Sequence, residues 1–145
     1  MVRISRSALL PYAAPRIFAL VDDIALYPEF MQGCVGTQIL ERTPHSVTAQ
    51  LTLGKAGLRY AFTTCNVLEP PHRMQMQLVE GPFRHFQAQW NFVELSAEAC
   101  KVSFQIEFEF SAKLVDLVLT SLFENTASDM VNAIAQRAEQ LYGHQ

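Results

Sequence analysis

The sequence predicts an α+β fold in which a curved antiparallel sheet of about seven strands wraps around one long C-terminal helix. From Cys34 to Phe110, apolar and polar residues alternate, which is typical of strands with one covered face and one face in water. After Ser111 the apolar residues recur at helical spacing as far as Tyr142. This last segment is the one large candidate for covering the apolar face of the sheet, so the two patterns together predict the fold.

Length, composition and charge indicate one globular domain and exclude several classes of protein. The chain has 145 residues, so residues 1–145 are expected to form a single domain. Apolar residues make up 50% and charged residues 17%, which excludes an intrinsically disordered chain. The 11 basic and 14 acidic residues give a net charge of −3, which argues against a DNA-binding protein. No apolar stretch is long enough to cross a membrane, and three widely spaced cysteines favour reduced thiols in the cytoplasm.

The first part of the chain predicts one strand followed by two short helices. Residues 2–10 largely alternate between apolar and polar side chains, as in a strand with one buried face. Pro15 suits the first turn of a helix, where its missing N–H would have no partner. Tyr27 precedes Pro28, and the residue before a proline is disfavoured in the helical region, so the first helix is expected to end there. A second short helix is expected over residues 28–32.

The middle and end of the chain predict six further strands and the long helix. The alternating runs cover residues 35–39, 47–53, 58–62, 74–78, 86–92 and 100–110. The helix is expected from Ala112 to Tyr142, which is about 45 Å at 1.5 Å per residue and enough to cross the sheet. A wide sheet wrapped on one helix is the helix-grip architecture, which tends to enclose a void beside the helix. The alternative, that the same side chains fill a dry core, stays open at this point.

Large apolar side chains on the covered face are the candidate lining of a ligand pocket. They are Phe62, Met76, Trp90, Phe92, Phe104, Phe108, Leu119, Phe123 and Met130. Two loops and the start of the last helix form the candidate rim, which consists of Tyr27, Pro28, Phe30, Gly81, Pro82, Phe83, Leu117 and Val118. Aromatic and methionine side chains of this kind suit an apolar ligand.

The sequence predicts no catalytic residue and no metal site. The four histidines are scattered without ligand spacing, and no glycine-rich phosphate loop or G-x-S-x-G motif occurs. Cys34 is the one candidate nucleophile, and it is the less favoured interpretation of that residue. Arg137 falls in the apolar stripe of the last helix. Its side chain either reaches water or an acidic residue such as Asp22, or it anchors the polar group of a ligand.

Three segments together resemble a known family. Residues 22–30 resemble the D-x-x-x-Y-P-x-F signature that follows the first helix of coenzyme Q-binding START-like proteins. Residues 80–84 and 90–92 are similar to that family's D-G-P-F-K/R and W-x-F block, with Glu80 in place of the commoner aspartate. The chain is therefore identified, over nearly its whole length, as resembling this family of the polyketide cyclase/dehydrase superfamily.

The resemblance implies a START-like helix-grip fold and three alternative functions. The first is non-enzymatic binding, transport or chaperoning of an apolar isoprenoid, with bound ubiquinone as the expected ligand, in support of respiration. It implies a cytoplasmic protein in transient contact with the surface of the inner membrane. The second, because the family includes bacterial ribosome-association toxins, is binding to the large ribosomal subunit to inhibit subunit association and translation. The third is a polyketide cyclase or dehydratase, which the lack of polar catalytic groups disfavours.

Overall fold

A computed structural model of the protein describes residues 1–112 and 116–143. Its elements confirm the predicted combination of one antiparallel sheet, two short helices and a long C-terminal helix. In chain order they are β1 (Val2–Leu10), α1 (Ala14–Asp22), a 3-10 helix (Ile24–Leu26), α2 (Tyr27–Phe30), β2 (Cys34–Thr43), β3 (Ser46–Lys55), β4 (Leu58–Glu69), β5 (Arg73–Glu80), β6 (Phe83–Ser96), β7 (Ala99–Phe110) and α3 (Leu117–Tyr142).

The seven strands form one sheet in the order β1-β7-β6-β5-β4-β3-β2. Strands β2 to β7 follow one another as hairpins, and all neighbouring pairs are antiparallel. The N-terminal strand joins the opposite edge, where Val2 lies across from Phe108 and Leu10 from Cys100. The connection that carries the chain from β1 to the far edge contains α1, the 3-10 helix and α2. These short helices therefore lie where they can cover one end of the curved sheet.

The segment around Tyr27 differs from the prediction. Helix α1 ends at Asp22, and Tyr27 is itself helical, with φ −51° and ψ −41°, at the start of α2. Pro28 lies in the first turn, where a residue without an N–H costs no hydrogen bond. The buried Tyr27 hydroxyl donates to the carbonyl of Val21. Burial and this hydrogen bond outweigh the pre-proline preference for extended backbone.

The long helix α3 has well-defined ends. Asp116 is its N-cap, and its carboxylate accepts hydrogen bonds from the backbone N–H groups of Val118 (2.9 Å) and Leu119 (3.1 Å). The predicted start at Ala112 precedes this cap, and positions 113–115 lie outside the described residues. The predicted end at Tyr142 is confirmed, and Gly143 follows with φ +69°. The helix contacts β1, β3 and β7 on the inner face of the sheet.

The inner face of the sheet and α3 enclose a continuous apolar core. In β7 every second side chain from Cys100 to Phe108 is buried, as the alternation predicts. Trp90 of β6 is fully buried and lies 4.7 Å, between ring centroids, from Phe104. Phe18 of α1 covers this end by packing edge-on against Phe92 at 5.1 Å. None of the helices in the described part of the chain combines the length and the apolar content that a bilayer crossing requires.

Candidate functional site: an interior cavity and an outer groove

A small cavity lies in the interior between the sheet, the middle of α3 and the segment that contains the 3-10 helix and α2. Its volume is about 40 Å³. A small-molecule site usually measures about 300–1,000 Å³, and one water takes roughly 30 Å³ of liquid volume. The wall consists of Ile24, Tyr27, Met31, Leu51, Leu53, Phe62, Thr64, Asn66, Met76, Phe86, Phe104, Ile106, Phe123, Thr126, Ala127 and Met130. The expected hollow is therefore mostly filled by side chains.

A cluster of phenylalanines fills the part of the interior next to the start of α3. Phe123 of α3 is its centre, with ring centroids 4.7 Å from Phe108 and 4.9 Å from Phe83. Phe62, Phe86 and Phe110 complete the cluster. Rings packed edge to face at these distances leave no room for a ligand.

The predicted lining residues fall into two groups. Those on the wall of the cavity are Phe62, Met76, Phe104, Phe123 and Met130. Those that are buried elsewhere are Trp90, Phe92, Phe108 and Leu119. Trp90 and Phe92 pack beneath α1, and Phe108 belongs to the phenylalanine cluster. Leu119 lies at the start of α3, where its carbonyl accepts from the Tyr60 hydroxyl at 3.4 Å. The alternation predicts that a residue on the covered face is buried. Whether that residue also lines a cavity depends on how the side chains of neighbouring elements pack around it.

Among the predicted rim residues, only Tyr27 lines the cavity. Pro28 is exposed, and Phe30 packs against Tyr27 at 5.8 Å. Leu117 and Val118 are 80% and 43% exposed at the start of α3. Val118 is five residues before Phe123, the first residue of α3 on the cavity wall, which corresponds to about 7.5 Å along a helix. Neither Leu117 nor Val118 lines this cavity.

The loop between β5 and β6 supports the wall of the cavity from behind. A Cβ atom at Gly81 would lie 2.7 Å from the Cβ of Phe62, so this position requires a glycine. The carbonyl of Pro82 accepts from the N–H of Ser111 at 2.8 Å. Phe83 is 7% exposed and packs against Phe62 and Phe123. These three residues, predicted at the rim, hold the phenylalanine cluster in place.

The roof of the cavity consists of Ile24, Tyr27 and Met31, and it is held against α3. Thr126 donates to the carbonyl of Gln32 at 3.2 Å. Gly33, with φ +90°, approaches so closely that a Cβ atom there would lie 2.7 Å from Thr126 Oγ1. Burial raises the pKa of Tyr27 far above its usual range, so its phenol stays neutral.

Arg137 reinforces the contact between α2 and α3. Its side chain is 16% exposed, and a guanidinium nitrogen lies 3.8 Å from a carboxylate oxygen of Glu29. The guanidinium also lies 5.3 Å above the ring of Phe30. Asp22, the partner suggested from the sequence, instead binds Arg42 at 3.0 Å. Arg137 is absent from the wall of the cavity, and its acidic neighbour is Glu29, not the suggested Asp22.

Two polar residues that sequence analysis missed lie on the cavity wall. Thr64 and Asn66 of β4 are 0% and 3% exposed. The sequence does indicate their inward position, because the alternation that places Phe62 inward continues through Thr64 and Asn66 to Leu68. The predicted run ended at Phe62, so Thr64 and Asn66 lay beyond the predicted inward positions.

The buried cysteines Cys34 and Cys100 are not activated thiols. Burial raises the pKa of the Cys34 thiol, and its sulfur donates to the carbonyl of Gly36 at 3.6 Å. Burial also raises the pKa of Cys100. A raised pKa keeps both thiols protonated at neutral pH, which disfavours a nucleophilic role. Within residues 1–112 and 116–143, no three histidine, cysteine or acidic side chains are grouped as metal ligands.

The outer face of the sheet carries a larger groove of about 680 Å³. Two neighbouring rows of side chains cross four strands there. One row consists of Ser5, Gln105, Gln89 and Gln75, and the next consists of Arg3, Glu107, Gln87 and Gln77. Arg3 and Glu107 form an ion pair at 3.0 Å, so the groove has no net charge. We call these eight side chains the outer groove.

Most amide groups of the outer groove have no partner within the described chain. Gln89 donates to Asn91 at 3.0 Å. The side chains of Gln75, Gln77, Gln87 and Gln105 form no hydrogen bond with the described residues. Each amide offers two donors and an acceptor oxygen, so this face can bind a polar partner through many hydrogen bonds.

A curved seven-stranded antiparallel sheet closed by a C-terminal helix over an apolar interior defines the helix-grip, START-like class of proteins. The chain belongs to the polyketide cyclase/dehydrase and lipid transport family, whose sequence profile matches residues 10–135. The family resemblance expected from the sequence is thereby confirmed.

Relatives within this family carry different names. The chain is 43% identical over 143 residues, 99% of each chain, to a ribosome association toxin RatA of Vibrio cholerae. It is 43% identical to the RatA protein of Escherichia coli K12, covering 98% of this chain and 90% of that one. It is 25% identical to the mitochondrial coenzyme Q-binding protein coq10 of Schizosaccharomyces pombe, over 92% of this chain and 84% of that protein.

Solved structures share the fold. The Zhui aromatase/cyclase of Streptomyces sp. R1128 superposes with a TM-score of 0.80 at 16% identity, covering 96% of this chain and 94% of that one. A START superfamily protein of Mycobacterium smegmatis superposes with a TM-score of 0.76 at 20% identity, covering 96% and 98%. At such identities the likeness establishes the architecture and leaves the activity open.

Proposed function

We propose that this protein is a ribosome-association toxin that binds the large ribosomal subunit and inhibits its pairing with the small subunit. The observation that carries the proposal is the 43% identity to proteins named ribosome association toxin RatA, over 99% of the chain in the Vibrio cholerae case. This similarity extends over the whole domain rather than over one motif.

The mostly filled interior supports a protein that acts through its surface. A cavity of about 40 Å³ provides no room for a large ligand. The outer groove, in contrast, measures about 680 Å³ and presents amides without partners in the described chain. The proposal therefore assigns contact with the ribosomal subunit to the outer groove. With a net charge of −3, the protein gains little from phosphate neutralisation, so hydrogen bonds and shape would carry the specificity.

The proposal is tested by mixing purified protein with ribosomal subunits. Small and large subunits are combined under associating conditions, and the products are separated on sucrose gradients. We expect increasing protein to reduce the 70S peak, to increase the free-subunit peaks, and to co-sediment with the large subunit. Adding the protein after 70S ribosomes have formed serves as the control for dissociation. Unchanged 70S formation at saturating protein, with no protein in the large-subunit fractions, would refute the proposal.

A second candidate function is the non-enzymatic binding of an apolar isoprenoid such as ubiquinone. It is supported by the apolar cavity wall and by the 25% identity to a coenzyme Q-binding protein. Burying roughly 100 Å² per isoprene unit is worth about 2.5 kcal/mol against water. Relative to a bilayer the gain is close to zero, so the protein would exchange such a ligand with a membrane surface rather than extract it. The cavity would have to expand several-fold to admit the tail.

Mass spectrometry of organic extracts and titration with ubiquinone-1 test this second candidate. We expect a bound quinone in extracts of protein purified without detergent, and quenching of the single tryptophan, Trp90, during the titration. Absence of quinone together with an unchanged fluorescence signal would refute isoprenoid binding. Neither candidate involves chemical conversion of the ligand, and we propose that the protein is not an enzyme.

A further inference from the structure

Three arginines on the outer face of the sheet lie in or beside the outer groove, and each forms an ion pair with a glutamate. The pairs, measured from guanidinium nitrogen to carboxylate oxygen, are Arg3–Glu107 at 3.0 Å, Arg84–Glu109 at 3.6 Å and Arg73–Glu69. A phosphate that approached these arginines would have to compete with a carboxylate that is already in place. The groove is therefore poorly suited to contacts with a phosphate backbone.

The groove also lacks the other side chains through which proteins commonly hold RNA. Affinity for RNA comes largely from lysine and arginine on phosphates and, for single strands, from bases stacked on aromatic rings. The eight side chains of the outer groove are five glutamines, one serine and one ion pair, so they offer neither a free cation nor an aromatic ring. Charge and composition at the groove therefore favour a protein partner over RNA.

The amides of the groove follow the strands at the repeat of an extended polypeptide. Gln87 and Gln89 are two residues apart on β6, and Gln75 and Gln77 are two residues apart on β5. Two residues of a strand span about 6.8 Å, so outward side chains recur at that interval. The N–H and C=O groups on one side of an extended chain recur at the same interval. A segment that runs along the strands therefore meets one glutamine amide for every two of its residues.

Peptide groups are chemically complementary to these amides. Each primary amide offers two donors and one acceptor oxygen, and each peptide group offers a donor and an acceptor. The side chains of Gln75, Gln77 and Gln87 form no hydrogen bond with the described residues, so they give up no internal bond when a segment binds. Strands β5 and β6 are neighbours at about 4.8 Å, so their amides can contact one segment from two sides.

We propose that the outer groove binds an extended, uncharged segment of a protein of the large ribosomal subunit, and that the glutamines of β5 and β6 recognise its backbone. The inference rests on the proposed function and names the kind of partner within the subunit. Because Arg3 and Glu107 neutralise each other, a charged side chain of the segment would gain no partner in the groove. An uncharged stretch of chain therefore fits best.

The salt dependence of binding separates a protein partner from RNA. Purified protein is titrated against large subunits at constant Mg²⁺, in about 50 mM and about 200 mM KCl, and bound protein is measured by co-sedimentation. Six to ten phosphate contacts would weaken binding about 10³- to 10⁵-fold over this range. We expect the dissociation constant to change by less than about threefold, because few phosphates are neutralised. A loss of about tenfold or more would overturn the inference.

Glu107→Lys and its matched control Glu107→Gln test the same distinction within the groove. Both variants free Arg3 from its ion pair, and only the lysine variant adds a second positive charge. We expect the two variants to bind the large subunit within about threefold of each other, because a neutral segment gains nothing from the added charge. RNA would bind the lysine variant more tightly, since both cations could neutralise phosphates. Tighter binding than that of Glu107→Gln by more than about threefold would overturn the inference.

Photo-crosslinking identifies the partner directly. p-Benzoylphenylalanine replaces either Gln87 in the groove or the exposed Gln140 of α3, and complexes with large subunits are irradiated. We expect position 87 to give an RNase-resistant product that contains a peptide of a large-subunit protein, and position 140 to give none. Crosslinks from position 87 to ribosomal RNA, or no crosslink from a complex that co-sediments, would overturn the inference while the proposed function stands. Absence of co-sedimentation would refute both.

Discussion

The inner and outer faces of strands β5 to β7 show how one alternating sequence builds two different surfaces. On β6, Phe86, Trp90 and Phe92 point inward and are at most 8% exposed. Gln87 and Gln89 between them point outward into the outer groove. The inner face is closed by packing, and the outer face is open with amide groups that lack partners in the described chain. Stability is therefore concentrated on one face, and the capacity for new hydrogen bonds on the other.

The largest effect is expected where the inner face packs most tightly. Phe123→Ala removes the ring at the centre of the phenylalanine cluster and should lower the free energy of unfolding by about 3–5 kcal/mol. Gln87→Ala on the outer groove should change it by less than about 0.5 kcal/mol. Urea denaturation of the two variants measures both values. A similar loss in both would contradict the division of roles between the faces.

A smaller effect is expected at the roof of the cavity. Gly33→Ala adds a methyl group 2.7 Å from Thr126 and 2.9 Å from Leu122, at φ +90°. Strain and overpacking together should cost about 2–4 kcal/mol. Gly57→Ala is the matched control, because Gly57 also has a positive φ, +82°, but no atom lies within 4 Å of the added methyl.

The Gly57 variant should lose only about 1–2 kcal/mol, from backbone strain alone. The difference between the two glycine variants measures how tightly the roof is held against α3. If both variants lost the same free energy of unfolding in urea denaturation, α3 would have to shift to accommodate the added methyl group. The roof would then be held less tightly against α3 than the structure indicates.

The outer groove should affect ribosome binding without affecting stability. Replacing Gln75, Gln87 and Gln105 together with alanine should weaken co-sedimentation with the large subunit about tenfold or more, since each lost hydrogen bond contributes about 0.5–1.5 kcal/mol. The control replaces the exposed Gln136 and Gln140 of α3 in the same way. Melting temperatures of both variants should match the native value. Equal binding by the triple variant and the native protein would place the ribosome contact elsewhere on the surface.

The smallest effect concerns the buried phenol of Tyr27. Burial raises its pKa, so the folded protein keeps the proton while the unfolded chain ionises near the ordinary pKa of about 10. Its contribution to stability is complete below that pH and is lost as the pH rises above it. Between pH 9 and pH 11 the native protein should therefore lose about 1 kcal/mol more than Tyr27→Phe in urea denaturation. Parallel pH curves for the two proteins would contradict this account.

The alternation of apolar and polar residues was sufficient to predict the fold, because within each strand it identifies the residues that face inward. The alternation in residues 100–110 predicted β7 and its inward residues, and helical spacing predicted α3. The first helix ends at Asp22, before Pro28, but the prediction that Tyr27 leaves the helical region was wrong, because the local backbone preference at Tyr27 is smaller than the gain from burying it. The same alternation places Thr64 and Asn66 on the inward face of β4. They were not predicted as inward residues because the predicted strand ended at Phe62.

The amino-acid sequence alone determined which residues face inward, because a two-residue period is a local property of the chain. It also determined the family, through motifs spread along most of the length. Only the tertiary structure decided how much space remains inside, since that volume depends on whether rings from β4, β6, β7 and α3 reach the same point. It also decided that amides from the three neighbouring strands β5, β6 and β7 share one groove, because the register between strands is set by their pairing.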